Sequence, residues 1–105
     1  MTTFHERERE IEARFKHDQE LQFKVTARRN KLLGLWAAER MGLKGDAAEA
    51  YAREVVNAAF AGGDPKVIDK VCADLNAKGQ TCTVAQVKFE LDHFAERAKQ
   101  QIMQE

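Results

Sequence analysis

From Phe4 to Leu33 the sequence contains neither proline nor glycine, and Gly34 is followed by seven more helix-compatible residues before Gly42. Thr3 and Glu6 stand at capping-box spacing at the start of this run. The stretch therefore predicts one helix from about Phe4 to Met41, roughly 57 Å long at about 1.5 Å per residue. Gly42 is suited to end it as a left-handed C′ residue, with Leu43 as the apolar partner beyond. A helix of this length is the strongest constraint on the fold, because the remainder of the chain has to be arranged around only part of it.

That remainder is cut into shorter pieces. Asp46 and Glu49 repeat the capping-box spacing, and Ala48, Tyr51, Ala52, Val55, Val56, Ala59 and Phe60 follow with helical period. Gly62 and Gly63 predict a stop, and Asp64 with Pro65 predicts a new N-cap and N1 position. Val67, Ile68, Val71, Cys72 and Leu75 form the apolar stripe of a third helix, closed by Gly79. Thr83 and Gln86 open a fourth, with Val84, Val87, Leu91, Phe94, Ala95, Ala98 and Ile102 on its buried face. No segment alternates as a strand would. The expected fold is all-α, a four-helix bundle-like domain. Its later helices are roughly 20–33 Å long at the same rise, too short to cover the first.

The side chains decide which half of the first helix is covered. "KLLGLWAA", residues 31–38, is apolar almost all round, the mark of a helix buried on several sides. Leu21, Val25, Leu32 and Trp36 lead into it, with Trp36 read as a core residue. Gly34, which costs about 1 kcal/mol relative to alanine inside a helix, is explained by close approach of a neighbouring helix.

The other half, "HEREREIEARFKHDQE", has almost nothing to bury. Phe4, Ile11 and Phe15 are its large apolar residues after Met1, and at about 100° per residue they fall on one thin seam. Asp18, Gln19 and Gln22 end the seam, and the apolar stripe restarts at Leu21 on a different side. Glu10 with Arg14 and Glu12 with Lys16 contribute about 0.2–0.5 kcal/mol per pair. That is well below the ordering cost of roughly 1–2 kcal/mol per residue. Residues 1–19 are thus expected to be mobile, overhanging or only nascently helical in the free protein and to order against a partner's groove. Residues 20–105 are expected to form the four-helix domain.

Composition narrows the function classes. Seventeen basic residues balance seventeen acidic ones, and the absence of a basic excess argues against a nucleic-acid binder. No apolar run approaches the roughly 18 residues of a spanning helix, so membrane insertion is not expected. The N-terminus lacks the apolar region of a signal peptide, and a cytoplasmic location is expected. Cys72 and Cys82 are then free thiols, Cys72 packed on a helix face and Cys82 exposed in a turn.

The block "RRNKLLGLWAAERMGLKGDAAEAYAREVV", residues 28–56, resembles the alphaproteobacterial ATPase inhibitor zeta subunit of the F-type ATP synthase. The likeness continues upstream through "FHERE" and "ARFKHDQELQFK" and downstream through "DLNAKG" and the last amphipathic helix. It implies a non-enzymatic four-helix protein whose N-terminal segment inserts at a catalytic interface of the enzyme head. There, among the alpha, beta and gamma subunits, it would block hydrolytic rotation and leave synthesis little affected. It also implies a free monomer that sits at the inner membrane only through the synthase. Carried onto this chain, the inhibitory segment is Thr2 to about Gln19. Phe4, Glu6, Arg7 and Glu8 match its start, and Glu12, Phe15, His17 and Asp18 its later part. Ile11 replaces an aromatic residue common there, and Lys16 a small one.

The seam and the resemblance select the same segment. Phe4, Ile11 and Phe15 are the expected apolar anchors, with Glu6, Arg7, Glu10 and Arg14 as polar contacts. Arg28, Arg29 and Lys31 form the densest basic cluster, read either as a solvated face or as a docking site for an acidic patch on the head. His5 and His17 would change charge between about pH 5 and 8, which suggests pH-gated inhibition. No phosphate loop, nucleophile elbow or metal-ligand cluster is present, so neither catalysis nor a metal is expected. No cofactor is expected, with ADP or ATP binding carried as a lesser reading. "AGGDPK" reads as a plain turn. The rival functions are a nucleotide-binding regulatory module and a non-inhibitory assembly protein of the same complex.

Overall fold

The computed structural model describes the backbone of residues 4–105 and the side chains of residues 17–105. It contains three helices: α1 (Phe4–Arg40), α2 (Asp46–Ala77) and α3 (Val84–Met103). The chain is all-α as expected, but the four-helix count is not met. The second and third expected helices form one element, bent where Gly62 (φ −162°, ψ 16°) and Gly63 (φ 71°, ψ −159°) leave helical geometry. Gly63 occupies a region that only glycine enters without strain. Two residues suffice to redirect the axis but are too few for a connecting loop. Pro65, which has no N–H to leave unpaired, starts the second arm.

The caps follow the sequence in part. At the end of α1, Leu43 N–H donates to Ala38 O (2.9 Å) and Gly42 N–H to Glu39 O (3.0 Å), the paired bonds of a Schellman turn. Gly42 (φ 80°) is the left-handed residue this requires. Thr83 and Gln86 form a complete reciprocal capping box. The box predicted at Asp46 and Glu49 does not form. Gly45 is the N-cap of α2, with no side-chain cap, and Glu49 N–H donates to Gly45 O (3.1 Å). Asp64 was expected to cap an N-terminus, but its carboxylate accepts from Arg29.

α1 is the central element and packs against both α2 and α3. Its buried face is Leu33, Gly34, Ala37 and Ala38. A Cβ built on Gly34 would stand 2.6 Å from Ala52 Cα and 3.3 Å from Val55 Cβ, so the glycine permits the close α1–α2 approach expected of it. Around this contact Val55, Val67, Val71 and Leu75 of α2 and Val87 of α3 are sealed from solvent, each gaining about 1.5–3 kcal/mol from burial. Phe94, Leu91 and Ala98 complete the α3 face.

Several expected core residues lie elsewhere. Phe60 and Val84 are exposed, and Trp36 is only partly buried, at the rim of the core. Cys72 packs against the core as expected, but Cys82 is not exposed in the turn. Both are free, Cys82 buried and Cys72 half-buried. The cause is Asn76, whose amide donates to Cys72 O (2.8 Å) and Cys82 O (2.9 Å) and accepts from Cys82 N–H (3.1 Å). These bonds fold the α2–α3 connection back over Cys82.

Candidate partner-binding site

The residues singled out as the inhibitory segment, Phe4, Glu6, Arg7, Glu10, Ile11, Arg14 and Phe15, lie outside the residues whose side chains are described. The adjoining residues bear on how that segment is held. His17, Asp18, Gln19 and Glu20 are all exposed, and half-burial begins at Leu21. The body of the protein therefore takes up α1 at the position where the apolar stripe restarts.

Just beyond, the basic cluster fixes α1 to both other helices. Arg28 donates to Gln101 Oε1 (2.9 Å) and to Glu105 Oε1 (2.6 Å), tying α1 to the end of α3. Arg29 donates through Nη2 to Asp64 Oδ1 (2.6 Å), at the start of the second arm of α2. The same guanidinium donates twice to Asn30 Oδ1, through Nε (3.1 Å) and Nη2 (3.0 Å). Lys31 Nζ is 4.0 Å from Glu49, and both side chains are about half exposed. Two of the three cations are thus engaged within the chain in close charge-assisted bonds. With Glu105 and Asp64 more than half exposed, these pairs add little stability and chiefly fix geometry.

Pattern reasoning missed an aromatic pair beside this cluster. Phe23 is 57% and Phe60 67% exposed, with ring centroids 6.0 Å apart. Phe60 was assigned to a buried stripe because it is in phase with Ala52 and Val56. The stripe ends at the glycine bend, however, and Phe60 falls at its last turn. Phe23 is flanked by Gln22 and Lys24 and belongs to no stripe. The pair lines a cleft of about 100 Å³ together with Asn30, Val56 and Ala59.

At the opposite end of the body a larger cleft, about 370 Å³, is bounded by Trp36, Arg40, Cys82, Gln86 and Phe89. Arg40 lies over the Trp36 ring, 4.9 Å from its centroid. Burial, and then the neighbouring Cys72, push the Cys82 thiol upward in pKa, which makes it a poor nucleophile. Tyr51 is buried and donates to Asp74 Oδ2 (2.9 Å), which also accepts from Lys70 (3.0 Å). Burial, and then the Asp74 carboxylate, raise the phenol well above its ordinary value. Both groups are structural. Among the described residues no cluster of ligating side chains could hold a metal ion, and no helix is long and apolar enough to cross a membrane.

Comparison with known proteins gives one family and one solved structure. The family model described as ATPase inhibitor subunit zeta matches residues 1–101. A protein of known solution NMR structure is 45% identical, with a TM-score of 0.70 over 80% of this chain and 96% of that one. No match was found among curated proteins.

Proposed function

The chain belongs to the ATPase inhibitor subunit zeta family, non-enzymatic inhibitors of the F-type ATP synthase, and on that premise we propose that its N-terminal segment is the effector. Residues 1–19 insert at a catalytic interface of the enzyme head, against the gamma subunit and between alpha and beta. ATP hydrolysis stops because rotation is obstructed, with no chemistry performed by the inhibitor.

The observation that carries this reading is the mismatch along α1. The helix is anchored from Leu21 onward by Arg28, Arg29 and the Gly34 contact, while residues 17–20 meet solvent. Upstream, the sequence has one thin seam, Phe4, Ile11 and Phe15, and otherwise charge. A segment with no core of its own, continuous with a rigidly held helix, is presented rather than stored. Burial of the two aromatics and Ile11 supplies the affinity, with Glu6, Arg7, Glu10 and Arg14 at the rim. For docking of the body, Lys31 is the best placed of the basic cluster. Arg28 and Arg29 would first have to release Glu105 and Asp64.

The test is the ATP hydrolysis rate of the isolated head with the full chain and with a chain lacking residues 1–19, each checked for helicity. Inhibition by the full chain alone supports the proposal. Equal binding with no inhibition by either chain would make the protein an assembly factor instead.

A further inference from the structure

Cys72 and Cys82 are ten residues apart in sequence and neighbours in space. The reversal that brings them together is fixed by backbone bonds. At the end of α2, Gly79 N–H donates to Asn76 O (3.1 Å) and Gln80 N–H to Leu75 O (2.9 Å), with Gly79 in the left-handed region (φ 79°). One side chain then holds the returning chain. Asn76 donates to Cys82 O (2.9 Å) and accepts from Cys82 N–H (3.1 Å), so its amide pairs with both backbone groups of that cysteine. Cys72 precedes Asn76 by one helical turn and shares its face. The Cys72 thiol donates to Cys82 O (3.3 Å), and Asn76 Nδ2 lies 3.5 Å from Cys72 Sγ. The Cys72 thiol is also a side-chain partner of the Cys82 thiol, so sulfur stands beside sulfur.

The two thiols are not equivalent. Cys82 is 8% exposed and donates to Thr83 O (3.6 Å), and burial keeps it protonated. Cys72 is half-buried at the edge of the core, next to an exposed Asn76. Cys72 is therefore the thiol that a small reagent reaches first. Cys82, structural in the reduced chain, is the partner that the fold keeps beside it.

We propose that Cys72 and Cys82 form a reversible intramolecular disulfide, made by exchange with a small-molecule disulfide such as oxidised glutathione. Cys72 loses its proton, and its thiolate attacks one sulfur of the reagent, forming a mixed disulfide and releasing one reagent thiolate. Cys82 then gives up its proton and attacks Cys72 Sγ, forming the Cys72–Cys82 bond and releasing the second reagent thiolate. The protein dithiol loses two electrons, the reagent disulfide gains them, and the two protons end on the two reagent thiols. The bond joins α2 to the residue before Thr83, the N-cap of α3, across a connection that Asn76 already holds closed. Little has to move, so folding and the disulfide favour each other. The half-buried Cys72 sulfur also leaves the bond open to attack by a thiol, which makes it reversible.

The test equilibrates the full chain in mixtures of reduced and oxidised glutathione, with and without urea, and reads the products by intact mass and peptide mapping. The folded chain is expected to form the Cys72–Cys82 disulfide with an exchange constant about tenfold or more larger than in urea, a shift of about 30 mV. Cys82→Ala, checked for folding by its thermal midpoint, is expected to stop at a glutathione adduct on Cys72. An exchange constant no larger in the folded chain than in urea would overturn the inference. So would a glutathione adduct that persists on Cys72 in the wild type, a product joined between two chains, or an unmodified Cys72 in folded Cys82→Ala. The wild-type measurement decides alone if the variant does not fold.

Discussion

Gly34 and Ala52 meet backbone to backbone. A methyl group on Gly34 would stand 2.6 Å from Ala52 Cα and 3.2 Å from its Cβ, and the atom in the way is main chain. Gly34→Ala therefore sets two effects against each other. Helix propensity favours alanine by about 1 kcal/mol. Overpacking against a backbone that cannot rotate aside costs about 1–3 kcal/mol. The clash should prevail, giving a net loss of up to about 2 kcal/mol. Urea unfolding followed by helicity measures it, and an unchanged midpoint would mean that the two helices can separate freely.

Arg29 and Asp64 form one ion pair, but losing either partner should not cost the same. Asp64 is more than half exposed, and Asp64→Ala leaves Arg29 its bonds to Asn30. Its cost should fall below about 1 kcal/mol. Arg29→Ala removes both donors from Asn30 Oδ1, in a side chain already carrying an unpartnered Nδ2. A buried acceptor left bare costs about 1–3 kcal/mol. Chemical denaturation of the two variants side by side is the check. Equal losses would show that the surface ion pair, and not the Asn30 amide, is what Arg29 supports.

Elements with a local cause could be read from the sequence. Gly42–Leu43 and Thr83–Gln86 behave as their spacing predicts, whereas Asp46–Glu49, at the same spacing as the latter, yields the N-cap to Gly45 and forms no box. Gly34 was legible because a costly glycine inside an apolar block has few uses. Where the outcome depended on contacts that no spacing announces, the reading failed or held only in part. At Gly62–Gly63 the expected break in helical geometry is present, but as a two-residue kink inside one element. Asp64 is drawn from its expected capping role by an arginine 35 residues away. Cys82 is buried by Asn76, six residues upstream across a turn. Phe60 was in phase with its stripe, yet it meets only the rim of α1 at Phe23 and stays exposed. The Phe23–Phe60 cleft was invisible for the same reason, since neither residue alone is unusual.

Tyr51 should make the fold sensitive to alkali. Its phenol is buried, donates to Asp74, and titrates well above its ordinary value in the folded chain. In the unfolded chain it titrates near 10. Above that pH the unfolded state holds fewer protons than the folded one, so stability is complete below about pH 10 and falls as pH rises beyond it. The contribution is at most about 1.4 kcal/mol per pH unit. Tyr51→Phe should cost about 1 kcal/mol at pH 7 through the lost hydrogen bond and should lessen the alkaline decline. Thermal midpoints of both chains from pH 8 to 11 test this. The difference between the two curves isolates Tyr51 from lysines that titrate nearby.

Inhibition and stability should separate along α1. Alanine at Phe4, Ile11 and Phe15 together removes the apolar seam of a segment that has no core to contribute to. The thermal midpoint should stay where it is, while the half-inhibitory concentration for ATP hydrolysis rises by about tenfold or more, the range for truncated interface anchors. Leu33→Ala is the counterpart. Leu33 is fully buried against α2 and α3, and its truncation should cost about 2–5 kcal/mol of stability. At temperatures where that variant remains folded, its inhibitory segment is intact and its potency at saturation should match wild type. A seam variant that melts early, or a Leu33 variant that stays folded and fails to inhibit, would place the effector in the body of the protein and not in the segment before Leu21.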